Sequence, residues 1–107
     1  MEAKYREVCE GLGWVVYKYE AGLVEVSKHS PAGEDFFFGV SVENFVDEVK
    51  QYATDFDVDD HVELLADNRG TNGVPGSFCE LVEDAEAIKD MLQELAIALA
   101  KVKDTEI

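Results

Sequence analysis

Positive charge is scarce in this chain. Nine of its 107 residues are lysine or arginine, against 24 aspartates and glutamates, and the formal net charge is −15 at pH 7. A net charge of this size governs solubility and the choice of partner rather than the fold. It disfavours duplex DNA and RNA as ligands, because their phosphates would face carboxylates. We therefore predict no direct contact with nucleic acid.

Cysteine and histidine are also rare, which leaves little material for metal or nucleophile chemistry. Cys9 and Cys79 belong to no CxxC motif, a pattern typical of two free, partly buried thiols rather than of a disulfide. His29 and His61 have no Cys or His at metal-ligand spacing and no nucleophile arrangement, and we interpret both as surface histidines. The sequence predicts no catalytic residue, no metal and no cofactor.

One acidic stretch imitates the start of a calcium-binding EF-hand loop. It begins with acids at Asp55, Asp57 and Asp59, which match positions one, three and five of such a loop. Position six needs a glycine for its sharp turn and is Asp60, and position twelve needs a bidentate glutamate and is Ala66. The segment from residue 58 onward reads better as a helix.

Long apolar runs are absent as well. No run approaches the roughly 18 residues of a membrane-spanning helix, and the first residues, MEAKYREVCEG, hold no apolar run of the signal-peptide type. We expect a cytoplasmic protein without a membrane partner. Apolar residues still make up 47% of the chain, including six Phe, four Tyr and one Trp, so it has the material for a folded core.

The hydrophobic pattern predicts one α+β domain over residues 1–107. Its first part, residues 1–41, contains a short helix over 2–10, where acids and bases alternate at i,i+4 spacing. Three β-rich runs follow at 14–19, 23–28 and 35–40, separated by short connections that contain Gly or Pro. We predict a three-stranded antiparallel meander.

From Ser41 onward the apolar period becomes helical, and residues 42–107 form an acidic helical part. Ser41 is the predicted N-cap of the next helix, Asp57 that of a second, and Ser77, with Glu80 in a capping box, that of the longest. The order of elements is thus α-β-β-β-α-α-α, with the helices packed against the sheet. The first of these helices carries an apolar stripe of Val42, Phe45, Val46, Val49, Tyr52 and Ala53.

The last helix has an apolar seam with alternating steps of four and three residues. The seam consists of Leu81, Ala85, Ile88, Leu92, Leu95, Leu99 and Val102. Such a seam is either the main core helix of the domain or a contact between two helices. The segment LAIALA, residues 95–100, is apolar on every side, which indicates deep burial or self-association through Leu95, Ile97 and Leu99 in a homodimer.

Negative charge is concentrated in the helical part. Residues 43–94 hold fifteen carboxylates and three cations, Lys50, Arg69 and Lys89, for a net charge of −12. Six pairs of acids stand four residues apart along the predicted helices: Glu43–Asp47, Asp59–Glu63, Glu63–Asp67, Glu80–Asp84, Glu86–Asp90 and Asp90–Glu94. Each pair costs about 0.2–0.5 kcal/mol of helix stability, so the six cost about 1–3 kcal/mol in total. That cost indicates a use beyond solubility.

Carboxylates at i,i+4 lie about 6 Å apart along a helix and form rigid rows of negative charge, as the phosphates of a duplex do. Such rows suit a basic groove that normally holds nucleic acid, so the sequence predicts DNA mimicry. The predicted partner-binding residues are Asp55, Asp57, Asp59, Asp60, Glu63 and Asp67 in a first group, which ranks higher because it is denser, and Glu83, Glu86, Asp90 and Glu94 in a second.

The stretch SPAGEDFFFGVSVENFVDEVKQYATDFDVDDHVELLADNRGTNGVPGS, followed by FCELVEDAEAIKDMLQELA, resembles small acidic proteins encoded on phages and other mobile elements of gut Firmicutes. Mobile elements carry anti-CRISPR and antirestriction proteins, many of which look like DNA to their targets. This resemblance in size and charge implies a non-enzymatic inhibitor acting in the host cytoplasm. Its implied target is a CRISPR effector nuclease.

Two alternatives stay open. In the first, an antirestriction mimic, the basic nucleic-acid-binding partner is a restriction-modification enzyme. In the second, the chain is a generic acidic interaction or dimerisation module that works through its LAIALA segment. Substitution of the acids separates mimicry from the module, because only mimicry depends on the carboxylates.

Overall fold

The predicted order of elements and the α+β class are confirmed. The structure is a computed structural model, and it describes residues 1–71 and 74–105. The elements are α1 (Ala3–Gly11), β1 (Val15–Glu20), β2 (Leu23–His29), β3 (Asp35–Ser41), α2 (Phe45–Asp55), α3 (Val58–Leu65), a 3-10 turn (Ala66–Asn68) and α4 (Phe78–Asp104). The four α-helices and three strands of this part of the chain follow one another as α-β-β-β-α-α-α.

The sheet is an antiparallel meander in the order β1-β2-β3. A two-residue turn, Ala21 and Gly22, joins β1 to β2, and Gly22 has a φ of +78°, which a residue with a side chain adopts only at a cost. Side chains alternate between the two faces, as the period of two predicts. One face is buried by Val16, Val24, Val26, Phe36, Phe38 and Val40, and the other faces outward.

The helices cover the buried face of the sheet, with α4 at the centre of the helical layer. Trp14 packs edge-to-face against Phe36 and Phe38, with ring centroids 6.3 and 5.9 Å apart, and Phe38 stacks on Tyr52 at 4.4 Å. The seam of α4 is buried from Leu81 to Leu99. At about 1.5 Å per residue, the 27 residues of α4 span about 40 Å and set the long axis of the molecule, 47 Å.

The burial of α4 corrects the self-association prediction at two of its three residues. Leu95 and Leu99 are fully buried within the chain, against the core that the sheet and the other helices form. They have no surface to offer a second copy. Ile97 alone among the three is accessible, at 58% exposure. The seam is therefore the core of the domain, which was one of the two interpretations left open.

The predicted N-cap at Ser41 is wrong, and the reason lies in the sheet. The Val42 N–H donates to the carbonyl oxygen of Gly22 at 2.8 Å, so the ladder between β2 and β3 holds the chain extended past the predicted start. Asn44 takes the N-cap position of α2, and the helix begins at Phe45. The Ser41 hydroxyl still accepts the Asn44 N–H, at 3.3 Å.

The other two caps are confirmed. The Asp57 carboxylate accepts the Asp60 N–H at 3.1 Å, and the Ser77 hydroxyl accepts the Glu80 N–H at 3.2 Å. Each bond satisfies one of the backbone donors that a helix start leaves free. The segment that imitates a calcium loop is thus the end of α2 and the start of α3.

The two cysteines are free, as expected, but their surroundings differ. Cys9 is fully buried and Cys79 is exposed, which corrects the expectation of two partly buried thiols. Burial raises the pKa of the Cys9 thiol from 9.0 to about 11. The unfolded chain therefore loses this proton near pH 9 while the folded chain keeps it, so this stabilising difference is lost as pH rises from about 9 to about 11.

We expect Cys79 to react with an aromatic disulfide reagent at pH 8 at the rate of a free thiol, and Cys9 at least about 100-fold more slowly. The reason is that the reactive thiolate of Cys9 is both shielded and disfavoured by burial. The measurement is release of the chromophore over time. In the variant Cys79→Ser, Cys9 is the one remaining thiol, so its rate is measured by itself. Equal rates in the folded protein would contradict the burial of Cys9.

Candidate functional site

Four carboxylates of α4 form a row directly opposite its buried seam. Successive residues of an α-helix are rotated by about 100°, which places these four within an arc of about 80°. The seam from Leu81 to Leu99 is centred about half a turn away, so the row points away from the core. All four are exposed. We name this set, Glu83, Glu86, Asp90 and Glu94, the α4 row.

The other predicted carboxylates are spread over the end of α2, the start of α3 and the 3-10 turn. We name this set the α3 group: Asp55, Asp57, Asp59, Asp60, Glu63 and Asp67. All six are exposed, as predicted. The expected straight row of Asp59, Glu63 and Asp67 is interrupted, because α3 ends at Leu65 and Asp67 lies in the 3-10 turn. The α4 row is the longer rigid array.

No cation neutralises either set within the described part of the chain. The ion pairs there are Lys4–Glu2, Lys103–Asp47 and His61–Glu34, and none involves the α4 row or the α3 group. Arg69, a cation of the acidic segment, is used elsewhere. Its guanidinium lies 3.9 Å from the centre of the Phe78 ring, and its Nε donates to the carbonyl oxygen of Ala66. The carboxylates therefore present an uncompensated negative surface.

The repulsion predicted along the helices is smaller than the sequence indicates. Asp84 is buried and accepts hydrogen bonds, Asp47 lies 3.1 Å from the Lys103 ammonium, and Asp67 falls outside α3. Three of the six like-charge pairs remain as predicted: Asp59–Glu63, Glu86–Asp90 and Asp90–Glu94. Their summed cost is about 0.6–1.5 kcal/mol.

We expect the thermal midpoint to rise by about 3–8 °C between 0.1 and 1 M NaCl. The Debye length falls from about 10 Å to about 3 Å over that range, so the repulsion between carboxylates about 6 Å apart is largely screened. Differential scanning calorimetry measures the shift. The variant Asp90→Lys, which removes two of the three repulsive pairs, should show a clearly smaller rise. A flat midpoint in the unchanged protein would show that the rows carry no repulsive strain.

A buried polar network lies at the other side of α4, and the sequence interpretation missed it. Asp84 is 5% exposed; its carboxylate accepts the Ser30 hydroxyl at 2.7 Å and the Ala32 N–H at 3.0 Å. The Ser30 hydroxyl accepts the Glu34 N–H at 3.0 Å. A signal was available, because Asp84 stands three residues after Leu81 and four before Ile88, on the apolar side of the helix. The network ties the β2–β3 turn to α4.

His61 is not a surface histidine, which corrects the interpretation made from sequence. Its side chain is 10% exposed, and its Nε2 lies 3.2 Å from a Glu34 carboxylate oxygen. The imidazole packs against the rings of Phe36 and Phe56, with centroids 5.8 and 5.3 Å away. His61 therefore fastens α3 to the start of β3. His29 is exposed, as expected.

These polar groups do not assemble into a nucleophile and its base. The Ser30 hydroxyl donates to Asp84, so its proton is held by a carboxylate and not by an imidazole, and Ser30 is 5% exposed. Within residues 1–71 and 74–105, no three or more His, Cys, Asp or Glu are grouped so that they would hold a metal ion. The hydrogen bonds of Ser30 and Asp84 connect the β2–β3 turn to α4, which is a structural role.

The described helices include none long and apolar enough to cross a membrane. Comparison of the chain with protein-family models, with curated proteins and with solved structures finds no match. The features of this chain that indicate a function are therefore those of its surface, above all its exposed carboxylates.

Proposed function

We propose that this protein is a non-enzymatic inhibitor that binds a basic nucleic-acid-binding protein and occupies the site of its nucleic acid. The observation that supports this most is the α4 row: exposed carboxylates, free of ion pairs among the described residues, on one side of a 27-residue helix. The α3 group extends the same negative charge to the neighbouring helix.

The row suits mimicry because folding has already fixed its geometry. Asp90 and Glu94 each follow an acid by four residues, so the spacing along the axis is about 6 Å and repeats. A basic groove that binds such a row displaces the cations around the carboxylates, as it displaces those around a nucleic-acid backbone. Because the helix is already rigid, binding does not have to order a flexible chain. Attraction over long range also speeds association.

Our first choice of target is a CRISPR effector nuclease, a choice that rests on the resemblance to mobile-element proteins. A restriction-modification enzyme is the alternative, since it also holds DNA in a basic groove. The second alternative, a dimerisation module built on the LAIALA segment, loses support because Leu95 and Leu99 are buried.

Affinity capture from a lysate of gut Firmicutes tests the proposal. The bait is the full chain, and the matched control bait is its Glu86→Lys, Asp90→Lys, Glu94→Lys variant. We expect the unchanged bait to retain a basic nucleic-acid-binding protein at about 0.1 M salt and to release it at about 1 M. A captured set that is the same for both baits, or that holds no nucleic-acid-binding protein, would refute the proposal.

A further inference from the structure

The sheet has two edges, and they are built differently. Because the strand order is β1-β2-β3, β1 and β3 each pair on one side only. An edge strand presents unpaired N–H and C=O groups to which another strand can bond. What distinguishes the two edges is what covers those groups.

The ladder determines which groups of β3 point outward. Ser30 N–H bonds to the Glu34 carbonyl oxygen and Val42 N–H to the Gly22 carbonyl oxygen, both at 2.8 Å, at the two ends of the β2–β3 pairing. In an antiparallel pair the bonded positions alternate. The even-numbered residues of β3 therefore bond to β2, and the backbone N–H and C=O of Asp35, Phe37, Gly39 and Ser41 point away from the sheet.

The β1 edge is protected, which makes the comparison informative. By the same alternation, the backbone N–H and C=O groups of Val16 and Lys18 in β1 point away from β2. The Arg6 guanidinium of α1 donates to the Val16 carbonyl oxygen at 3.1 Å, and the pairing with β2 is irregular between Lys18 and Glu20. A side chain that bonds to the outward backbone groups, a lysine on the edge strand and an irregular pairing all hinder the addition of another strand.

The β3 edge lacks such protection over most of its length. At its end the Ser41 N–H donates to the Glu48 carboxylate at 3.1 Å. Among the described residues, no hydrogen-bond partner is found for the outward groups of Phe37 and Gly39, and both residues are exposed. A groove of about 550 Å³ lies between the first part of β3, up to Phe37, and α3.

The groove next to this edge has a large apolar part. Leu64 of α3 is 73% exposed and Phe37 is 57% exposed, large values for side chains of this kind. The rest of the apolar lining consists of Phe36, Tyr52, Leu65 and Val74. Its acidic residues are Glu34, which lies beside His61, and Asp35, and the lining contains no Lys or Arg.

We infer that the β3 edge receives an extended, basic segment of a partner protein as a fourth strand. Backbone bonds to Phe37 and Gly39 would hold the segment, as in other cases of strand addition. Its alternate side chains would be apolar, over Leu64 in the groove, and basic, beside Asp35 on the outer face. This surface is separate from the α4 row, so the inference does not rest on the proposed function.

Charge decides between a foreign segment and a second copy of this chain. A second copy would bring another β3, with its own Asp35, and another α3 group against the first, and each chain carries a net −15. Two surfaces of like charge repel each other, which disfavours the pairing of two copies. A basic segment gains from the same field, so the occupant that fits this edge is a segment of another protein.

The test is amide hydrogen exchange by NMR on the full chain, with a probe peptide of about six residues that alternates lysine and valine. Without peptide, Phe37 and Gly39 should exchange freely while Phe36 and Phe38 are protected. At saturating peptide we expect at least about tenfold slower exchange at Phe37 and Gly39. A peptide of alternating glutamate and valine should leave them unchanged.

Substitutions that remove an outward N–H provide the matched controls. Phe37→Pro removes one on the β3 edge and Lys18→Pro one on the β1 edge, and neither removes a bond to β2. We expect Phe37→Pro to lower the affinity for the lysine–valine peptide at least about tenfold and Lys18→Pro to leave that affinity unchanged. Phe37→Ala keeps the N–H and should weaken binding by no more than about threefold.

Three results would overturn the inference. One is the absence of added protection at Phe37 and Gly39 at millimolar peptide. The second is equal weakening by Phe37→Pro and Phe37→Ala, since only the side chain would then matter. The third is protection of these amides in the free protein that disappears on dilution, which would assign the edge to a second copy.

Discussion

Reversing the charge of three members of the α4 row is expected to weaken partner binding on the order of 100-fold while the fold stays intact. The variant carries Glu86→Lys, Asp90→Lys and Glu94→Lys. These side chains are exposed on the side of α4 opposite the seam, where a substitution changes stability by less than about 0.5 kcal/mol. The loss should appear mainly as slower association, because the long-range attraction to a basic partner is reduced. Surface plasmon resonance against the captured partner measures both rates.

A matched variant of the α3 group separates the two acidic sets. It carries Asp59→Lys, Glu63→Lys and Asp67→Lys, with the same change in net charge. Because Asp67 lies outside α3 and the row is interrupted there, we expect this variant to bind the partner about tenfold more weakly, a smaller loss of affinity than in the α4 variant. Circular dichroism should show both to be folded. If the folded α4 variant binds as tightly as the unchanged protein, the α4 row is not the binding face.

Replacing Asp84 by alanine is expected to destabilise the fold by about 2–3 kcal/mol. The substitution removes the acceptor of the exposed Ala32 N–H and of the buried Ser30 hydroxyl. An orphaned buried donor costs about 1–3 kcal/mol, offset in part by relief from burying a carboxylate. Asp84→Asn keeps one acceptor oxygen and should cost about half as much. Urea unfolding followed by circular dichroism gives both values.

The adjacent acid provides the control. Glu83 is exposed, so Glu83→Ala should change the free energy of unfolding by no more than about 0.5 kcal/mol. Ser30→Ala, which removes the other half of the bond, should resemble Asp84→Ala in sign and in rough size. Were Asp84→Ala as harmless as Glu83→Ala, the buried network would contribute nothing to the fold.

The fold could be predicted from local patterns because each element carries its own period. The strands alternate, and the seam of α4 repeats at helical spacing from Leu81 to Leu99. The start of α2 could not be predicted in this way. Ser41 is a good cap by residue type, but the bond from Val42 to Gly22 continues the strand, and no local pattern contains a bond over twenty residues.

The exposed residues could be predicted in part from the sequence, and the errors have a physical cause. A helical wheel places Glu86, Asp90 and Glu94 opposite the seam, and the structure finds them exposed. Asp84 and His61 were misjudged because their partners, Ser30 and Glu34, come from the β2–β3 turn, far away in the chain. The difference between the two sheet edges depends on Arg6 reaching β1 from α1, which no spacing within β1 reveals.

Competition with DNA shows whether the carboxylates of this protein occupy a nucleic-acid site. A CRISPR effector nuclease with its guide is titrated with labelled duplex DNA at increasing concentrations of this protein, with the α4 variant as control. Mimicry predicts that the apparent Kd for DNA rises in proportion to the protein concentration, that full DNA occupancy is still reached, and that the α4 variant has little effect. A stable complex of nuclease, DNA and this protein together, with the Kd for DNA unchanged, would contradict it.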